Sequence, residues 1–410
     1  MNRLSKLSLW LALAAAGSIL LGIAWSQILL ALALGFLLLS GLPLRWPRIA
    51  IPLGGFLVWT LLSLAFSPDP GFGMAQVRKM YVFLTLLVVF SAVRTMREAR
   101  WLTYLWMGIG TFTAAKGLAQ FLRDMATWAA TAGHGDFYHF YIADRIRGFM
   151  SHWMTFSGQE LFVLLILTAF VFFGPRDKGR LWIWLPCTAI VGIALIASNT
   201  RGVWIAAVAA GFYLLWEWRR WTAAAMPVLI VLVALFGPAP IRERVDSLIH
   251  PHGTTDSNEH RIIVWRTGWQ MIKAHPLLGV GPDMVRKKEV FFSYLPKDIA
   301  LPLPEGFYEH AHNIYIQYAA ERGIPATLFI VAAMAMALND FRRALKRLAP
   351  GRSTERFLLQ AAIAVIIGTA VGGITEYNLN DSEVLTMFLT TMCLGYTAAS
   401  THMQQLPVPA

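Results

Sequence analysis

The sequence predicts an all-α polytopic membrane protein with about twelve transmembrane helices. Hydrophobic residues make up 57% of the chain and charged residues only 14%, whereas roughly 25% of the residues in a soluble domain are charged. The mean hydropathy of +0.54 indicates more apolar side chains than soluble cores can bury, so part of the protein must face lipid. The same composition excludes a disordered chain, a collagen-like repeat and a disulfide-rich scaffold.

Twelve apolar runs approach the length that a helix needs to cross the hydrocarbon core of a bilayer, about 17–25 residues. They lie near residues 8–24, 26–42, 50–66, 80–95, 101–120, 156–174, 181–198, 203–217, 222–238, 313–338, 357–375 and 383–400. The second run follows the first directly, which favours an uncleaved first helix over a signal peptide. We therefore expect three regions: helices 1–9 in residues 1–238 with a middle outer loop near 121–155, a large outer loop with amphipathic helices at 239–312, and helices 10–12 in residues 313–410.

The basic residues orient these helices. Lys and Arg cluster in every second short loop, as the positive-inside rule requires when the N terminus lies in the cytoplasm. Examples are Arg94, Arg97 and Arg100, and the stretch from Arg342 to Arg356. An even number of helices then puts both termini in the cytoplasm.

A second set of basic residues falls in the outer loops, where the positive-inside rule gives no reason for them. The set includes Arg147, Arg201, Arg261, Arg266 and Arg286. A basic vestibule at the outer membrane surface indicates an anionic ligand such as phosphate or pyrophosphate. Topology and this vestibule together account for the net charge of +12 without nucleic acid as a partner.

Arg201 lies in a tight outer turn, Ser198-Asn-Thr-Arg-Gly202, between predicted helices seven and eight. So short a turn holds the guanidinium at the membrane surface. The side chain either snorkels to lipid headgroups or binds a substrate phosphate through its planar fork of donors.

The sequence predicts one helix within the large outer loop. Asp256 and Glu259 predict its N-cap and capping pair, and Arg261, Trp265 and Trp269 then share one face because they are four residues apart. Indole rings at a membrane boundary act as interfacial anchors. The helix is either an interfacial lid or one whose arginines also face a bound phosphate, and the two functions are compatible.

The segment Pro276-Leu-Leu-Gly-Val-Gly-Pro282 has glycines that suggest a phosphate-binding loop. A nucleotide site also needs a preceding strand and a following Gly-Lys-Ser/Thr, and the sequence has neither. The segment therefore predicts a turn that redirects the chain.

His312 falls where the chain enters the membrane from the outside, a costly place for an imidazole unless it is hydrogen-bonded or functional. It is either a structural cap of the tenth helix or a general base, since its pKa suits proton transfer near neutral pH. A metal site with His310 and Glu309 is a third interpretation, although one His-x-His pair supplies too few ligands. We expect the His310 side chain, two residues away, to point elsewhere than His312.

These features together resemble the superfamily of O-antigen ligases, O-antigen polymerases and pilin oligosaccharyltransferases. The resemblance rests on Thr200-Arg201-Gly202 at a helix start, Arg261-x-x-x-Trp265, Pro276-Leu-Leu-Gly-Val-Gly281, and His312-Asn313 followed by Gly323-Ile-Pro325. It covers residues from about 140 to 400, whereas the N-terminal part agrees only in its number of helices. Twelve helices and the large outer loop between helices nine and ten favour the ligases.

The resemblance implies a GT-C-type glycosyltransferase in the bacterial inner membrane, with its active site facing the periplasm. Its donor would be a glycan linked to undecaprenyl pyrophosphate and its acceptor a sugar of the lipid A core. Neither a metal nor a nucleotide cofactor would be needed, because the lipid pyrophosphate is already an activated leaving group. The outer acidic residues are scattered and form no Asp-x-Asp motif.

The resemblance also implies roles for individual residues. His312 would be the catalytic base, and Arg201 and Arg261 would hold the pyrophosphate and stabilise the leaving group. The candidate substrate-binding residues are Arg147, Arg266, Asn313, Trp265 and His310. The sequence leaves open which of Arg261 and Arg266 points inward.

Three other functions compete with the ligase. A polymerase would use the same donor with a lipid-linked glycan as acceptor, and a pilin oligosaccharyltransferase would glycosylate protein. A transporter of lipid-linked glycans belongs to another class and predicts ionisable residues near helix midpoints. Lys116 and Glu160 are expected near helix ends instead, and the sequence shows no internal repeat.

The predicted orientation of the helices can be tested with reporter fusions. A reporter fused after Arg347 should report a cytoplasmic location, and one fused near Lys288 a periplasmic location. A phosphatase and fluorescent-protein fusion pair at each position measures this, and a reversed signal at either position would contradict the orientation.

Overall fold

The computed structural model describes residues 2–131, 140–141, 145–175, 178–236, 242, 258–299, 301–303 and 310–403. Throughout these ranges the regular secondary structure is helical. The α-helices are α1 (Arg3–Ser18), α2 (Ile23–Leu39), α3 (Ala50–Ala65), α4 (Pro70–Arg78), α5 (Leu84–Ala92), α6 (Met96–Ala130), α7 (Trp153–Phe173), α8 (Lys178–Ala197), α9 (Arg201–Trp218), α10 (Arg220–Phe236), α11 (Asn258–Ala274), α12 (Lys288–Ser293), α13 (Ile314–Arg347), α14 (Ser353–Gly372) and α15 (Ser382–Met403).

The helical prediction is confirmed for the described residues, and each of the twelve predicted runs coincides with a helix. Among the described residues, four helical stretches are long and apolar enough to cross a membrane: Pro70–Ala92, Trp153–Phe173, Ile314–Arg347 and Ser353–Gly372. Ile23–Leu39, Ala50–Ala65 and Leu181–Ala197 are shorter apolar helices. This supports a polytopic membrane protein, while the number of twelve crossings stays a prediction. The Asp256 cap lies outside the described residues.

The centre of the bundle is formed by α7 and α14. In each of them 78% of the apolar span is buried by other helices, as expected for helices that are hydrophobic on all sides. Small residues let α9 approach α14 closely, since a Cβ on Gly372 would lie 3.2 Å from the Ala206 Cβ. This packing brings the start of α9 against the turn that follows α14.

Helix α13 is broken near its start. Gly323 has φ 82° and ψ 167° inside the helix, and Pro325 follows it. Pro325 has no N–H to donate to the Glu321 carbonyl, and the Ile324 N–H donates to the Pro276 carbonyl instead, at 2.8 Å. The break therefore leaves two helix carbonyls without their usual partners.

The turn segment Pro276–Pro282 supplies those partners. The Val280 N–H donates to the Ala320 carbonyl at 2.8 Å, and the Gly281 N–H donates to the Glu321 carbonyl at 2.9 Å. Helix α3 also contacts this segment, because the Ser63 hydroxyl donates to the Leu278 carbonyl at 2.6 Å. We call the contacts among Pro276–Pro282, α3 and the break in α13 the junction. The segment is a turn, as predicted, and it also docks into the break in α13.

Two charged residues lie farther from helix ends than the sequence predicts. Lys116 is well inside α6, which continues ten residues past the predicted span, and its Nζ lies 3.5 Å from the centroid of the Phe149 ring. Glu160 is buried in α7 and accepts a hydrogen bond from the Thr113 hydroxyl. The expectation for these residues is wrong because hydropathy marks where apolar side chains end, whereas the helical backbone continues beyond them.

The junction makes a prediction about stability. A Cβ at Gly323 would collide with the Leu277 carbonyl, and its backbone conformation is open almost only to glycine. Gly323→Ala should therefore lower the Tm of the purified protein in detergent by several degrees. Gly35→Ala is the matched control, because a Cβ there meets nothing within 4 Å and alanine favours the helix. An equal Tm for the two variants would contradict the docking argument.

Candidate functional site

Three turns and one helix meet at one end of the bundle, which we call the loop face. The turns are residues 198–200, 310–313 and 373–381, and the helix is α11. The Ile314 N–H donates to the Gly373 carbonyl at 2.8 Å, which joins the second turn to the third. A Cβ at Gly202 would collide with the Thr375 hydroxyl, which shows that the first and third turns are also in contact.

Arg201 is the first residue of α9 and its side chain is buried, with 4% exposure for the whole residue. Burial is expensive for a guanidinium, and the N-terminal end of a helix adds an unfavourable partial positive charge. The adjacent Gly202 lies against Glu376, since a Cβ there would be 2.9 Å from Oε1. The local field at Arg201 therefore favours a nearby anion.

Arg261 on α11 pairs with Glu376 across the loop face. Its Nη2 lies 3.2 Å from Glu376 Oε1, and the side chains are 15% and 3% exposed. The pairing is incomplete, because Arg261 Nε and Glu376 Oε2 are buried without hydrogen-bond partners in the structure as described. Burial raises the pKa of the Glu376 carboxyl, although Arg261 and Arg145 act in the opposite direction.

Arg145 joins this group, whereas Arg147 lies on the exposed surface two residues later. Arg145 Nη1 donates to the Asn199 carbonyl at 3.4 Å, and its guanidinium carbon lies 4.8 Å from the centroid of the Trp153 ring. Arg147 is exposed, and its backbone N–H donates to Gln120 Oε1 at 3.2 Å. We refer to Arg145, Arg201, Arg261 and Glu376 as the arginine cluster, because Arg145 contacts the turn before Arg201 and Arg261 pairs with Glu376, which lies against Gly202.

Arg266 does not belong to the arginine cluster. Its Nη2 donates to both carboxylate oxygens of Asp298, at 2.8 and 2.9 Å. Both side chains are largely exposed, so the pair lies on the surface. Of the two arginines that the sequence left open, Arg261 is the one that points inward.

His312 and His310 lie together beside the arginine cluster, so the expectation that their side chains point apart is wrong. Their ring centroids are 4.0 Å apart, and the His312 N–H donates to His310 Nδ1 at 3.3 Å. A left-handed backbone at His312, with φ 47°, turns its ring back towards that of His310. His312 Nδ1 is buried without a hydrogen-bond partner among the described residues.

Both histidines are electrically neutral at ordinary pH. Burial lowers the pKa of His310 to about 4. Burial also lowers the pKa of His312 far below its usual range, with further contributions from His310 and Arg261. A neutral imidazole can accept a proton, but burial and the neighbouring cations make His312 a weaker base than a solvent-exposed histidine.

Asn313, Trp265 and Gln317 hold the histidine turn in place. Asn313 caps α13 by accepting from the Tyr315 and Ile316 N–H groups at 2.9 Å, and its Nδ2 donates to the Ile374 carbonyl at 2.9 Å. Trp265 Nε1 donates to the Ala311 carbonyl at 2.7 Å, and the Ala311 N–H donates to Gln317 Oε1 at 2.6 Å. The side chains of Asn313 and Trp265 are thus engaged by the protein itself.

Within the described residues, no three His, Cys, Asp or Glu side chains are grouped so that they could hold a metal ion. Glu309, named above as a possible ligand with His310, lies outside the described residues. The charged and ring-nitrogen groups described at the loop face are guanidinium groups, imidazoles and the Glu376 carboxylate.

Sequence reasoning missed Glu376, Arg145 and Gln317. The signal for Glu376 was present, because an acidic residue directly after an apolar helix is costly unless it is paired. Arg145 was visible only as a neighbour of Arg147 in the same short motif. Gln317 had no signal of its own, since its role depends on the backbone of a turn that precedes its helix.

Comparison with known proteins adds to this geometry. Residues 186–331 match the family model described as O-antigen ligase. The matched range contains Arg201, Arg261 and His312, together with the docked segment Pro276–Pro282. No curated protein matches the chain. Over residues 186–331 the family match confirms the resemblance to the O-antigen ligase and polymerase superfamily seen in the sequence motifs.

Proposed function

We propose that the protein is an O-antigen ligase that transfers a glycan from undecaprenyl pyrophosphate to a sugar hydroxyl of the lipid A core. One observation carries the proposal: two adjacent buried histidines, with ring centroids 4.0 Å apart, lie near Arg261 at the end of an apolar helix bundle that also carries Arg145 and Arg201. The site would face the periplasm, where both lipid-borne substrates reach it from the bacterial inner membrane. The surrounding membrane lipids are its remaining partners.

The arginine cluster supports binding of the donor pyrophosphate. Three arginines gathered around the Glu376 carboxylate provide guanidinium donors in a poorly solvated place, where a pyrophosphate could be bound. The planar fork of each guanidinium matches phosphate oxygens in pairs. Arg201 and Arg261 would hold the diphosphate and stabilise the charge that grows on it as the glycosidic bond breaks. Arg145 would assist them, the exposed Arg147 remains a candidate for contact with substrate, and Arg266 pairs with Asp298 at the surface.

His312 would act as the general base. It would take the proton of the acceptor hydroxyl as that oxygen bonds to the anomeric carbon, and the electrons of the breaking bond would go to the leaving pyrophosphate. Displacement from the opposite side inverts the anomeric configuration. Arg261 contributes to the low pKa of His312. A bound pyrophosphate that neutralises Arg261 would therefore make the imidazole more basic when the donor is present.

The fate of the glycan separates the ligase from its relatives. In a deletion strain, loss of long-chain lipopolysaccharide with accumulation of lipid-linked polymer supports the ligase. Lipopolysaccharide that carries single repeat units supports a polymerase. Unchanged lipopolysaccharide with unglycosylated pilin supports a pilin oligosaccharyltransferase.

Arg201→Lys and Arg261→Lys should each lower kcat/KM at least about tenfold, because lysine keeps the charge but loses the two-pronged contact. The assay uses purified protein, lipid-linked glycan and lipid A-core acceptor, with products separated on a gel. Arg266→Lys is the comparison and should stay within about twofold, since Arg266 pairs with Asp298 at the surface. A larger loss in Arg266→Lys than in Arg261→Lys would contradict the assignment.

His312→Ala should lower kcat by about 10²–10⁴-fold, the usual contribution of a general base, while donor binding is retained. His275→Ala is the matched control, because His275 bonds to Tyr294 on the exposed surface and should keep full activity. Activity should also survive EDTA, since arginines are proposed to hold the pyrophosphate. Full activity in His312→Ala, or loss in EDTA that zinc restores, would overturn the mechanism.

The pH dependence follows from the low pKa of His312. A base works only when it is unprotonated, and a lowered pKa keeps it unprotonated to more acidic pH. The acid limb of kcat/KM, which reports the free enzyme, should therefore lie below pH 6.5, the ordinary value for histidine. An acid limb at or above that pH would exclude His312, in its present surroundings, as the titrating base.

A further inference from the structure

A polar cavity of about 290 Å³ opens beside His310. Its lining includes Gln76, Lys79, Arg286, His310, Tyr377 and Asn380. The arginine cluster does not line it. The consecutive residues Glu376 and Tyr377 separate the two places, because Glu376 pairs with Arg261 whereas Tyr377 lines the cavity.

The floor of the cavity carries side chains that suit a saccharide. Gln76 Nε2 lies 3.3 Å from Asn380 Oδ1 and 3.4 Å from the Tyr377 hydroxyl, so these contacts are long and easily exchanged. Amide groups both donate and accept hydrogen bonds, as sugar hydroxyls do.

Positive charge surrounds the same cavity. Lys79 and Arg286 are exposed at its rim, and Arg286 Nη1 lies 3.7 Å from Asp283 Oδ2, beyond hydrogen-bond distance. A smaller adjoining cavity of about 40 Å³ shares Gln76, Lys79 and Asn380 with it and is also lined by Arg322.

Arg322, which lines the smaller cavity, is buried, and only some of its N–H groups have hydrogen-bond partners. It donates to Gln76 Oε1 and lies 3.3 Å from Glu321 Oε2, yet its Nε and Nη1 make no hydrogen bond in the described structure. Among the groups that line the two cavities, three cations face the single carboxylate of Asp283, with Glu321 behind Arg322. An anionic group would therefore be attracted to the rim.

We propose that this cavity binds the acceptor, and that the acceptor is a saccharide whose phosphate or carboxylate group is held by Lys79 and Arg286. The proposal rests on the proposed ligase function and deepens it. A sugar in the cavity would lie next to His310, whose ring centroid is 4.0 Å from that of His312. The acceptor hydroxyl and the donor pyrophosphate would then approach the histidines from two sides of the turn at Glu376 and Tyr377.

The test is a steady-state analysis of Lys79→Gln and Arg286→Gln in the full-length protein, with each substrate varied in turn. We expect the acceptor KM to rise about tenfold in each variant, the loss typical of one charge-assisted hydrogen bond, while the donor KM stays within about twofold. Lys288→Gln is the matched control, because it removes an exposed charge from the same segment outside the cavity and should change neither KM.

A second arm identifies the anionic group. Lipid A-core treated with aqueous hydrofluoric acid loses its phosphates. If the wild-type acceptor KM then rises to the value of the variants, the group is a phosphate. If the variants still differ from the wild type on treated acceptor, the group is a carboxylate.

The outcomes separate the two proposals. An unchanged acceptor KM in both variants, or a rise in the donor KM instead, would overturn the acceptor site while leaving the ligase intact. Absence of transfer by the wild-type protein with either acceptor would overturn the ligase function itself. Both variants substitute exposed side chains, so misfolding does not obscure the result.

Discussion

The break in α13 is the constraint on which the loop face depends. Gly323 and Pro325 interrupt the helix and free the carbonyls of Ala320 and Glu321, which the backbone of Val280 and Gly281 then binds. The docked segment follows α11, which carries Arg261, while α13 follows the histidine turn. One set of backbone hydrogen bonds therefore fixes an arginine of the large loop relative to His312.

A second set of contacts holds the opposite side of the loop face in place. Asn313 caps α13 and also donates to the Ile374 carbonyl, so the start of α13 holds the turn that bears Glu376 and Tyr377. Gly202 lets that turn approach the start of α9, because no larger residue fits beside Thr375 and Glu376. Arg201, Arg261 and the histidines are thus positioned by backbone contacts and caps more than by contacts among their own side chains.

The sequence predicts where the helices lie, but it does not predict which residues are neighbours in the site. Both results follow from what hydropathy measures. Hydropathy reports that a segment is buried in lipid or protein, which is enough to locate α7 or α14. It does not report which turns meet, so Glu376 and Gln317 were missed. Arg261 and Arg266 are five residues apart, about 140° around a helix, so one of them had to face outward. The ion pair with Asp298 on the surface shows that the outward-facing arginine is Arg266.

Backbone strain at the loop face follows from these constraints. In the described part of the chain, the non-glycine residues with left-handed φ are Asn199, Asp283 and His312. Asn199 precedes the Thr200-Arg201-Gly202 turn, Asp283 lines the cavity beside His310, and His312 is the proposed base. Such conformations cost on the order of 1–3 kcal/mol each, less for Asn and Asp, and persist only where the surroundings enforce them. Asp283 directly follows the docked segment and His312 directly precedes the Asn313 cap. The backbone contacts around the break in α13 therefore hold these two residues in conformations that they would otherwise disfavour.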